Sequence, residues 1–211
     1  MTALDDLIQR YPALLSCRET IQAAFKMLVA LYEADGKLLV CGNGGSAADA
    51  EHIVGEMMKK GFIRKDIPQE YKDKLIAADP ELGAELAADL EGSLMAIALH
   101  GHPSLTTAYM NDREPLLCFA QQVSGYGRPG DVLLAISTSG NSKNVLYAAV
   151  AARARGMKVI GLTGANPCKL DAYADVCIKV PQTETYKIQE LHLPVYHCLC
   201  MMLENHFFGN Q

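Results

Sequence analysis

The feature that most constrains this fold is a repeated alternation of short apolar runs with helix-forming segments. Five runs are predicted to be buried β-strands, because they are short, continuously apolar and bounded by turn-forming residues. These runs cover residues 37–41, 94–99, 131–136, 158–162 and 176–180. A helical pattern follows each run, so parallel strands joined by crossover helices are favoured. The sequence therefore predicts an α/β fold with a doubly wound, flavodoxin-like sheet of five parallel strands flanked by helices.

The chain length of 211 residues favours a single domain. We interpret residues 1–211 as one domain that carries two additions. Residues 1–35 are predicted to form an N-terminal helical segment that packs on the sheet and is broken near Tyr11 and Pro12. Residues 61–90 are rich in Lys, Asp and Glu and are interpreted as a solvated helical insertion, with a lid over a site as the alternative.

The composition restricts which cellular location and which binding partners we expect for the protein. The formal net charge of −5 argues against a nucleic-acid binder that works by neutralising phosphates. The apolar runs are too short for a membrane span, and the first residues lack the pattern of a secretory signal. Seven cysteines without a CxxC pair are interpreted as buried free thiols, with a metal pair at Cys198 and Cys200 as the alternative. We therefore expect a cytoplasmic protein that binds neither nucleic acid nor membrane.

A glycine-rich turn, residues 41–46, joins the first predicted strand to a helix. Glycine lets the backbone turn tightly and approach a ligand closely, and the free N–H groups of a helix start favour an anion. The Gly42 and Gly44 spacing also fits a dinucleotide-binding fingerprint. Such a site needs an acidic residue about 20 residues later, near the end of the second strand, whereas the second predicted strand ends at Leu99 and His100, too late and without an acid. The turn therefore predicts an anion site, and a tight turn without a ligand is the alternative.

A hydroxyl-rich loop, residues 137–142, follows the strand at 131–136. Four of its six residues are Ser or Thr, and the loop leads directly into a helix. Hydroxyls can each donate to a phosphate oxygen, and the helix start adds partial positive charge. The loop contains no Lys or Arg, which favours a phosphomonoester held by many donors. N-capping of the helix by Ser139 or Ser142 is the alternative.

Taken together, the two loops resemble those of the SIS (sugar isomerase) domain family and, more narrowly, of the phosphoheptose isomerases within it. The resemblance implies an aldose–ketose isomerase that converts sedoheptulose 7-phosphate to D-glycero-D-manno-heptose 7-phosphate, usually as a zinc-containing homotetramer. It covers most of the chain outside residues 61–90. The matching stretches are residues 41–56, 110–112, 130–145, 156–164 and 188–197.

The resemblance also implies which residues form the site. Contacts to the phosphorylated sugar are assigned to Asn43, Gly44, Gly45, Ser46, Glu56, Asn111, Asp112, Ser137, Thr138, Ser139, Ser142 and Gln189. Zinc ligands are assigned to His52, Glu56, Gln189 and His197. Glu56 and His197 are also the acid–base candidates, with Glu56 moving a proton between C1 and C2 through an enediol. The sites are expected near subunit interfaces of the homotetramer.

The residues themselves support part of this assignment. His52 and Glu56 are four apart on a predicted helix, so they share one face and offer two ordinary zinc ligands; a surface ion pair is the alternative. Gln189 and His197 are eight apart, which corresponds to about 12 Å along a straight helix. A kink at Pro194, or ligands from different subunits, would be needed for both to reach one ion.

Three departures from the family pattern leave the exact sugar open. Tyr186 stands where the family commonly has Asp, Lys60 stands where Arg is typical, and the insertion at 61–90 is longer than usual.

Two other functions are weighed against the isomerase. Residues 197–208 and 110–113 resemble a non-catalytic SIS adaptor that associates with the bacterial replication initiator, but the complete hydroxyl-rich loop and His197 favour the enzyme. A sugar-phosphate-binding regulator is the third alternative. Such a regulator would normally carry an additional DNA-binding domain, whereas the segment before the first strand has no basic face.

Overall fold

Five parallel strands form one sheet in the order β2-β1-β3-β4-β5, as the computed structural model of residues 1–209 shows. The strands are β1 (Leu38–Cys41), β2 (Ala96–Ala98), β3 (Val132–Ile136), β4 (Lys158–Thr163) and β5 (Val176–Lys179). This order is flavodoxin-like, so the predicted fold class is confirmed. The last two residues of the predicted domain, 210 and 211, lie outside the described part of the chain.

The order reverses between β1 and β3, which is the position where ligands bind in open α/β sheets. The two strands pair in register, with Cys41 beside Ala135. The glycine-rich turn follows β1 and the hydroxyl-rich loop follows β3. The topology therefore places the two predicted anion-binding segments next to each other at the carboxyl edge of the sheet.

The sheet is buried on both faces because its strand residues alternate between two hydrophobic cores. Leu38 and Val40 face one core, whereas Leu39 and Cys41 face the other. All four are at most 1% exposed, which explains why the strands have continuous apolar sequences. The helices that cover the sheet are α1 (Ala3–Arg10), α2 (Arg18–Glu33), α3 (Gly45–Met58), α6 (Pro103–Asp112), α7 (Cys118–Tyr126), α8 (Lys143–Ala154) and α9 (Thr185–Phe208).

The N-terminal helical segment breaks where the sequence predicts it. Helix α1 ends at Arg10, a 3-10 helix covers Pro12–Cys17, and α2 follows. Pro12 lacks the N–H that would continue the first helix. A similar break occurs before α7, where a 3-10 turn at Pro115–Leu117 precedes the helix.

The segment 61–90 contains two short helices, α4 (Gln69–Ala78) and α5 (Leu82–Asp89), which pack against each other. No residue of α4 is buried. The chain before α4 is anchored by buried Lys65 and Ile67. This buried part of the segment follows α3 in the chain and contributes to the surroundings of the site described below.

Helix α9 runs from Thr185 to Phe208 without a break, although Pro194 lies inside it. Its inner face contributes several core residues, and it packs on α1, α2 and α3. Within residues 1–209, no helix combines the length and the apolar character needed to cross a bilayer. The seven cysteines are free, as predicted, and five of them are buried: Cys17, Cys41, Cys118, Cys198 and Cys200.

Candidate active site

The glycine-rich turn has a backbone that requires glycine at two positions. Gly44 has φ 57° and ψ −120°, a conformation that L-residues rarely adopt. A Cβ at Gly42 would lie 2.5 Å from the carbonyl oxygen of Ser46. No side chain among the described residues caps α3. The N–H groups of Ser46 and Ala47 donate to the carbonyl oxygens of Asn43 and Gly44, whereas those of Gly44 and Gly45 have no partner among the described residues and are available for an anion.

The hydroxyl-rich loop turns at Gly140, which has φ 62°. Ser137 is 4% exposed, and its hydroxyl lies 3.0 Å from the hydroxyl of Ser142. The Ser139 hydroxyl accepts a hydrogen bond from the Asn141 N–H inside the loop. No side-chain cap is formed at the start of α8 in the described chain, so the alternative of simple N-capping is wrong.

An amide pair joins the two loops. Asn43 Nδ2 donates to Asn144 Oδ1 at 2.9 Å, and Asn144 Nδ2 donates back to Asn43 Oδ1 at 2.8 Å. Asn144 also accepts from the N–H of Val145 at the start of α8. Sequence reasoning missed Asn144, because its partner is 101 positions away and nothing in the local pattern distinguishes it.

A polar pocket of about 260 Å³ opens beside the hydroxyl-rich loop. Thr138 and Ser139 form one wall, and the start of α9 near Thr185 forms another. The remaining wall is formed by the loop after β4 and by Gln182, none of which the sequence predicted as site residues.

A second part of the site lies further along α3, where His52, Glu56 and His197 come together. His52 Nε2 is 3.5 Å from Glu56 Oε1, and the rings of His52 and His197 are edge-to-face with centroids 4.9 Å apart. The His52 side chain is 44% exposed and that of Glu56 is 14% exposed. Burial and the neighbouring His52 lower the pKa of His197, so its imidazole is neutral at neutral pH.

Two residues that sequence reasoning missed orient His52. Its Nδ1 lies 3.0 Å from the hydroxyl of Tyr196, and that hydroxyl donates to Asp49 Oδ1 at 3.2 Å. Burial and the nearby Asp49 carboxylate raise the pKa of Tyr196, which keeps the phenol protonated. Because the phenol proton goes to Asp49, Nδ1 of His52 carries the hydrogen toward Tyr196. The same ring orientation turns Nε2 toward Glu56. Asp49 sits three residues before His52, and Tyr196 directly precedes His197, so proximity to predicted site residues is the signal that could have found them.

The other predicted site residues lie apart from this histidine group. The Gln189 amide lies against the glycine-rich turn, since a Cβ at Gly45 would be 2.5 Å from Gln189 Nε2. Asn111 and Asp112 are exposed at the end of α6, and Asn111 Nδ2 donates to Asp112 Oδ1 at 2.9 Å. Neither hydrogen-bonds to the two loops within residues 1–209.

The distance between His52 and Glu56 fits a zinc ion. Two ligands at about 2.1 Å from a tetrahedral ion are separated by about 3.4 Å. The 3.5 Å between His52 Nε2 and Glu56 Oε1 agrees with this separation, so the two atoms are spaced as two ligands of one cation. In residues 1–209 no three His, Cys, Asp or Glu side chains are arranged to hold a metal ion. The pair fits zinc, whereas the complete predicted ligand set is not assembled within one chain.

Comparison with known proteins gives consistent matches over most of the chain. The family model described as the SIS domain matches residues 9–70 and 85–164. The gap between the two matched ranges, residues 71–84, falls within the segment that contains α4 and α5.

Relatives with established names agree with this match. A protein from Rhodospirillum rubrum named phosphoheptose isomerase is 41% identical over 189 residues, which is 90% of this chain and 87% of that protein. The structure of a phosphoheptose isomerase from Neisseria gonorrhoeae matches with a TM-score of 0.72 and 36% identity, covering 93% of this chain and 91% of that one. A phosphoheptose isomerase from Francisella tularensis matches with a TM-score of 0.73 and 31% identity, covering 97% and 100%.

Proposed function

The chain belongs to the SIS domain family, and on that premise we propose that it is an aldose–ketose isomerase of the phosphoheptose type. Its substrate is sedoheptulose 7-phosphate and its product D-glycero-D-manno-heptose 7-phosphate. One observation carries the proposal. Helix α3 starts at the anion-binding turn and presents His52 about 10 Å further on, beside Glu56 and His197. A seven-carbon sugar held by its phosphate at the turn would extend its reacting end toward this group.

The two loops bind the phosphate and thereby orient the sugar. The N–H groups of Gly44 and Gly45 and the hydroxyls of residues 137–142 are donors, and a doubly charged ester accepts from both. The Asn43–Asn144 pair fixes the distance between the loops. When the two loops hold the phosphate, C1 and C2 are kept in a fixed position relative to Glu56. This positioning of the substrate raises the rate.

Glu56 moves the proton between C1 and C2. Its carboxylate accepts the proton from one carbon and returns it to the neighbouring carbon through an enediol. His197, which is neutral because its pKa is lowered, exchanges a proton with the sugar oxygens or assists ring opening. Asp49 and Tyr196 hold His52 in the orientation that presents Nε2 to Glu56.

Zinc is part of the proposal. His52 Nε2 and Glu56 would hold the ion, with His197 and Gln189 as the further predicted ligands. When bound, it would polarise the sugar carbonyl and stabilise the developing oxyanion. Elemental analysis of the purified protein tests this: about one zinc per chain is expected, with loss in His52→Ala. A wild-type protein that binds no zinc when supplied with it would contradict the assignment.

The proposal also includes a cytoplasmic homotetramer with sites near subunit interfaces. Seven free cysteines favour a reducing compartment. The incomplete zinc ligand set within one chain favours a site completed by a second subunit.

The decisive experiment is an isomerase assay with sedoheptulose 7-phosphate. The wild-type protein is expected to turn over this substrate, and Glu56→Gln is expected to abolish turnover, because an amide of the same shape cannot accept the proton. Glu51→Gln, on the same helix, is the matched control and should retain activity. Turnover near the wild-type rate in Glu56→Gln would remove Glu56 from the mechanism, and an inactive wild-type protein would contradict the function itself.

A further inference from the structure

A buried ion pair lies directly behind the Glu56 end of α3. Lys65 Nζ is 2.9 Å from Glu204 Oε1, and the two side chains are 0% and 1% exposed. Lys65 comes from the segment after α3, and Glu204 comes from the last turns of α9. Removing two charges from water is costly, so such a pair persists only where further hydrogen bonds satisfy both groups.

Lys65 meets this requirement at the end of α3. Its ammonium group donates to the carbonyl oxygens of Glu56 and Lys59 at 2.7 Å each, and it lies 3.4 Å from the carbonyl oxygen of Met57. The last carbonyls of a helix lack partners inside the helix and carry partial negative charge. Lys65 therefore fixes the helical turn to which Glu56 belongs.

The buried carboxylate of Glu204 is satisfied by hydrogen bonds from the segment that follows α3. Its carboxylate accepts from the backbone N–H groups of Gly61, Phe62 and Ile63 at 2.9, 2.8 and 3.2 Å. Three consecutive N–H groups thus converge on one carboxylate. The arrangement holds residues 61–63 in a single conformation between α3 and α9.

That conformation brings residues 61 and 62 against both acid–base candidates. A Cβ at Gly61 would overlap Glu56 Oε2 and would lie 2.9 Å from Glu204 Oε1, so the Gly61 backbone directly borders the Glu56 carboxylate. The ring of Phe62 meets the ring of His197 edge-to-face, with centroids 5.8 Å apart. The contacts run from the buried ion pair through residues 61–62 to Glu56 and His197.

We propose that Lys65, Glu204 and Gly61 are positioning residues for the isomerase reaction, and that they hold the Glu56 carboxylate and the His197 ring in the geometry that proton transfer requires. This inference rests on the proposed function, because it assigns these residues to Glu56 and His197 in their acid–base roles. The ion pair contacts neither phosphate loop among residues 1–209, so positioning acts on the proton-transfer step while substrate affinity is set elsewhere.

Gly61→Ala is the most direct test, because it removes no hydrogen-bonding group of the ion pair and adds one methyl group between the carboxylates of Glu56 and Glu204. A displacement of about 1 Å is expected to lower kcat about 10²-fold. KM for sedoheptulose 7-phosphate should stay within about twofold, since the phosphate loops are untouched. Gly125→Ala is the matched control, because a Cβ there meets open space on a helix remote from the site. A wild-type kcat in Gly61→Ala, or a raised KM with kcat unchanged, would overturn the proposal.

A second experiment separates positioning from stabilisation. Glu204→Gln leaves Lys65 without its charge partner, whereas Lys65→Met combined with Glu204→Gln removes both charges at similar volume. If the pair only stabilises the fold, the double variant should recover both Tm and kcat relative to the single variant, and the proposal fails. If the pair positions Glu56, kcat of the double variant should stay low at temperatures well below its Tm and KM should stay unchanged, because methionine donates no hydrogen bond to the carbonyl oxygens of Glu56 and Lys59.

The outcome can be distinguished from a failure of the proposed function. Wild-type turnover and its loss in Glu56→Gln test the function without reference to Gly61. A crystal structure of Gly61→Ala tests positioning without reference to turnover: the Glu56 carboxylate is expected to be displaced from its wild-type position relative to His52. An undisplaced carboxylate would overturn the inference even in an active isomerase.

Discussion

Ser137 shows at the scale of a single residue why the hydroxyl-rich loop is suited to a phosphate. Its side chain is 4% exposed, and its hydroxyl lies 3.0 Å from that of Ser142. Two hydroxyls can share one hydrogen and still leave the other free to donate outward. The pair therefore offers a donor that is already oriented before the ligand arrives.

This argument predicts the effect of Ser137→Ala. A hydrogen bond to a charged group contributes about 1.5–3 kcal/mol, so KM for the phosphorylated sugar should rise roughly 10- to 100-fold. The effect on kcat should be smaller, because the proton-transfer group lies further along α3. Steady-state kinetics and inhibition by inorganic phosphate measure the change. Ser16→Ala, which removes an exposed hydroxyl far from the loops, should behave as wild type. An unchanged KM in Ser137→Ala would show that the loop does not bind the phosphate.

Single residues of the site could be predicted only where their signal is local. His52 and Glu56 are four apart on one helix, and the structure places them 3.5 Å apart, as that spacing requires. The hydrogen bond between Tyr196 and Asp49 could not be predicted, because it joins residues 147 positions apart. Only the packing of α9 on α3 brings such residues together, and a sequence pattern does not specify that packing.

Helix α9 determines several features of the site at the scale of one element. Near its start, α9 places Gln189 against the glycine-rich turn. Eight residues later it places His197 beside His52, and near its end it supplies Glu204 to the buried ion pair. The sequence predicts this helix from the helical pattern that follows the fifth strand. It leaves the effect of Pro194 open, and the structure shows a helix that is not interrupted there.

His192, in the middle of α9, makes the stability of this element dependent on pH. It is fully buried, and burial lowers its pKa to about 4 from an ordinary 6.5. The folded-state pKa is the lower one, so the unfolded chain binds a proton in the window where the folded chain does not. The contribution of His192 to the free energy of unfolding is therefore fully present above about pH 6.5. It decreases by about 3 kcal/mol as the pH falls toward 4.

Replacing this histidine tests the prediction. Denaturant unfolding of the wild type should show the free energy of unfolding decreasing between pH 6.5 and 4. His192→Gln should show a smaller decrease, because glutamine does not titrate. His206→Gln is the matched control on the same helix, with a side chain that is 42% exposed in the wild type, and should retain the wild-type slope. Equal slopes in all three proteins would exclude His192 as the source.

The topology of the whole molecule follows from a few local signals, whereas its surface does not. Short apolar strands with crossover helices restrict the fold to a doubly wound sheet, and a reversal of strand order then brings the two loops together.

The groove beside His197 is the face that we expect a second subunit to cover. It has a volume of about 280 Å³ and includes Leu193, which is 41% exposed on α9.

Light scattering should give four times the chain mass of 22.9 kDa for the wild type. Leu193→Lys should yield smaller species, because burying a lysine at an apolar contact is costly. Its turnover should fall together with its mass, since the sites are proposed to lie near interfaces. Val150→Lys, at an equally exposed apolar residue on α8, should remain tetrameric and active. A tetrameric, fully active Leu193→Lys would place the interface elsewhere, and an active wild-type monomer would contradict the assembly.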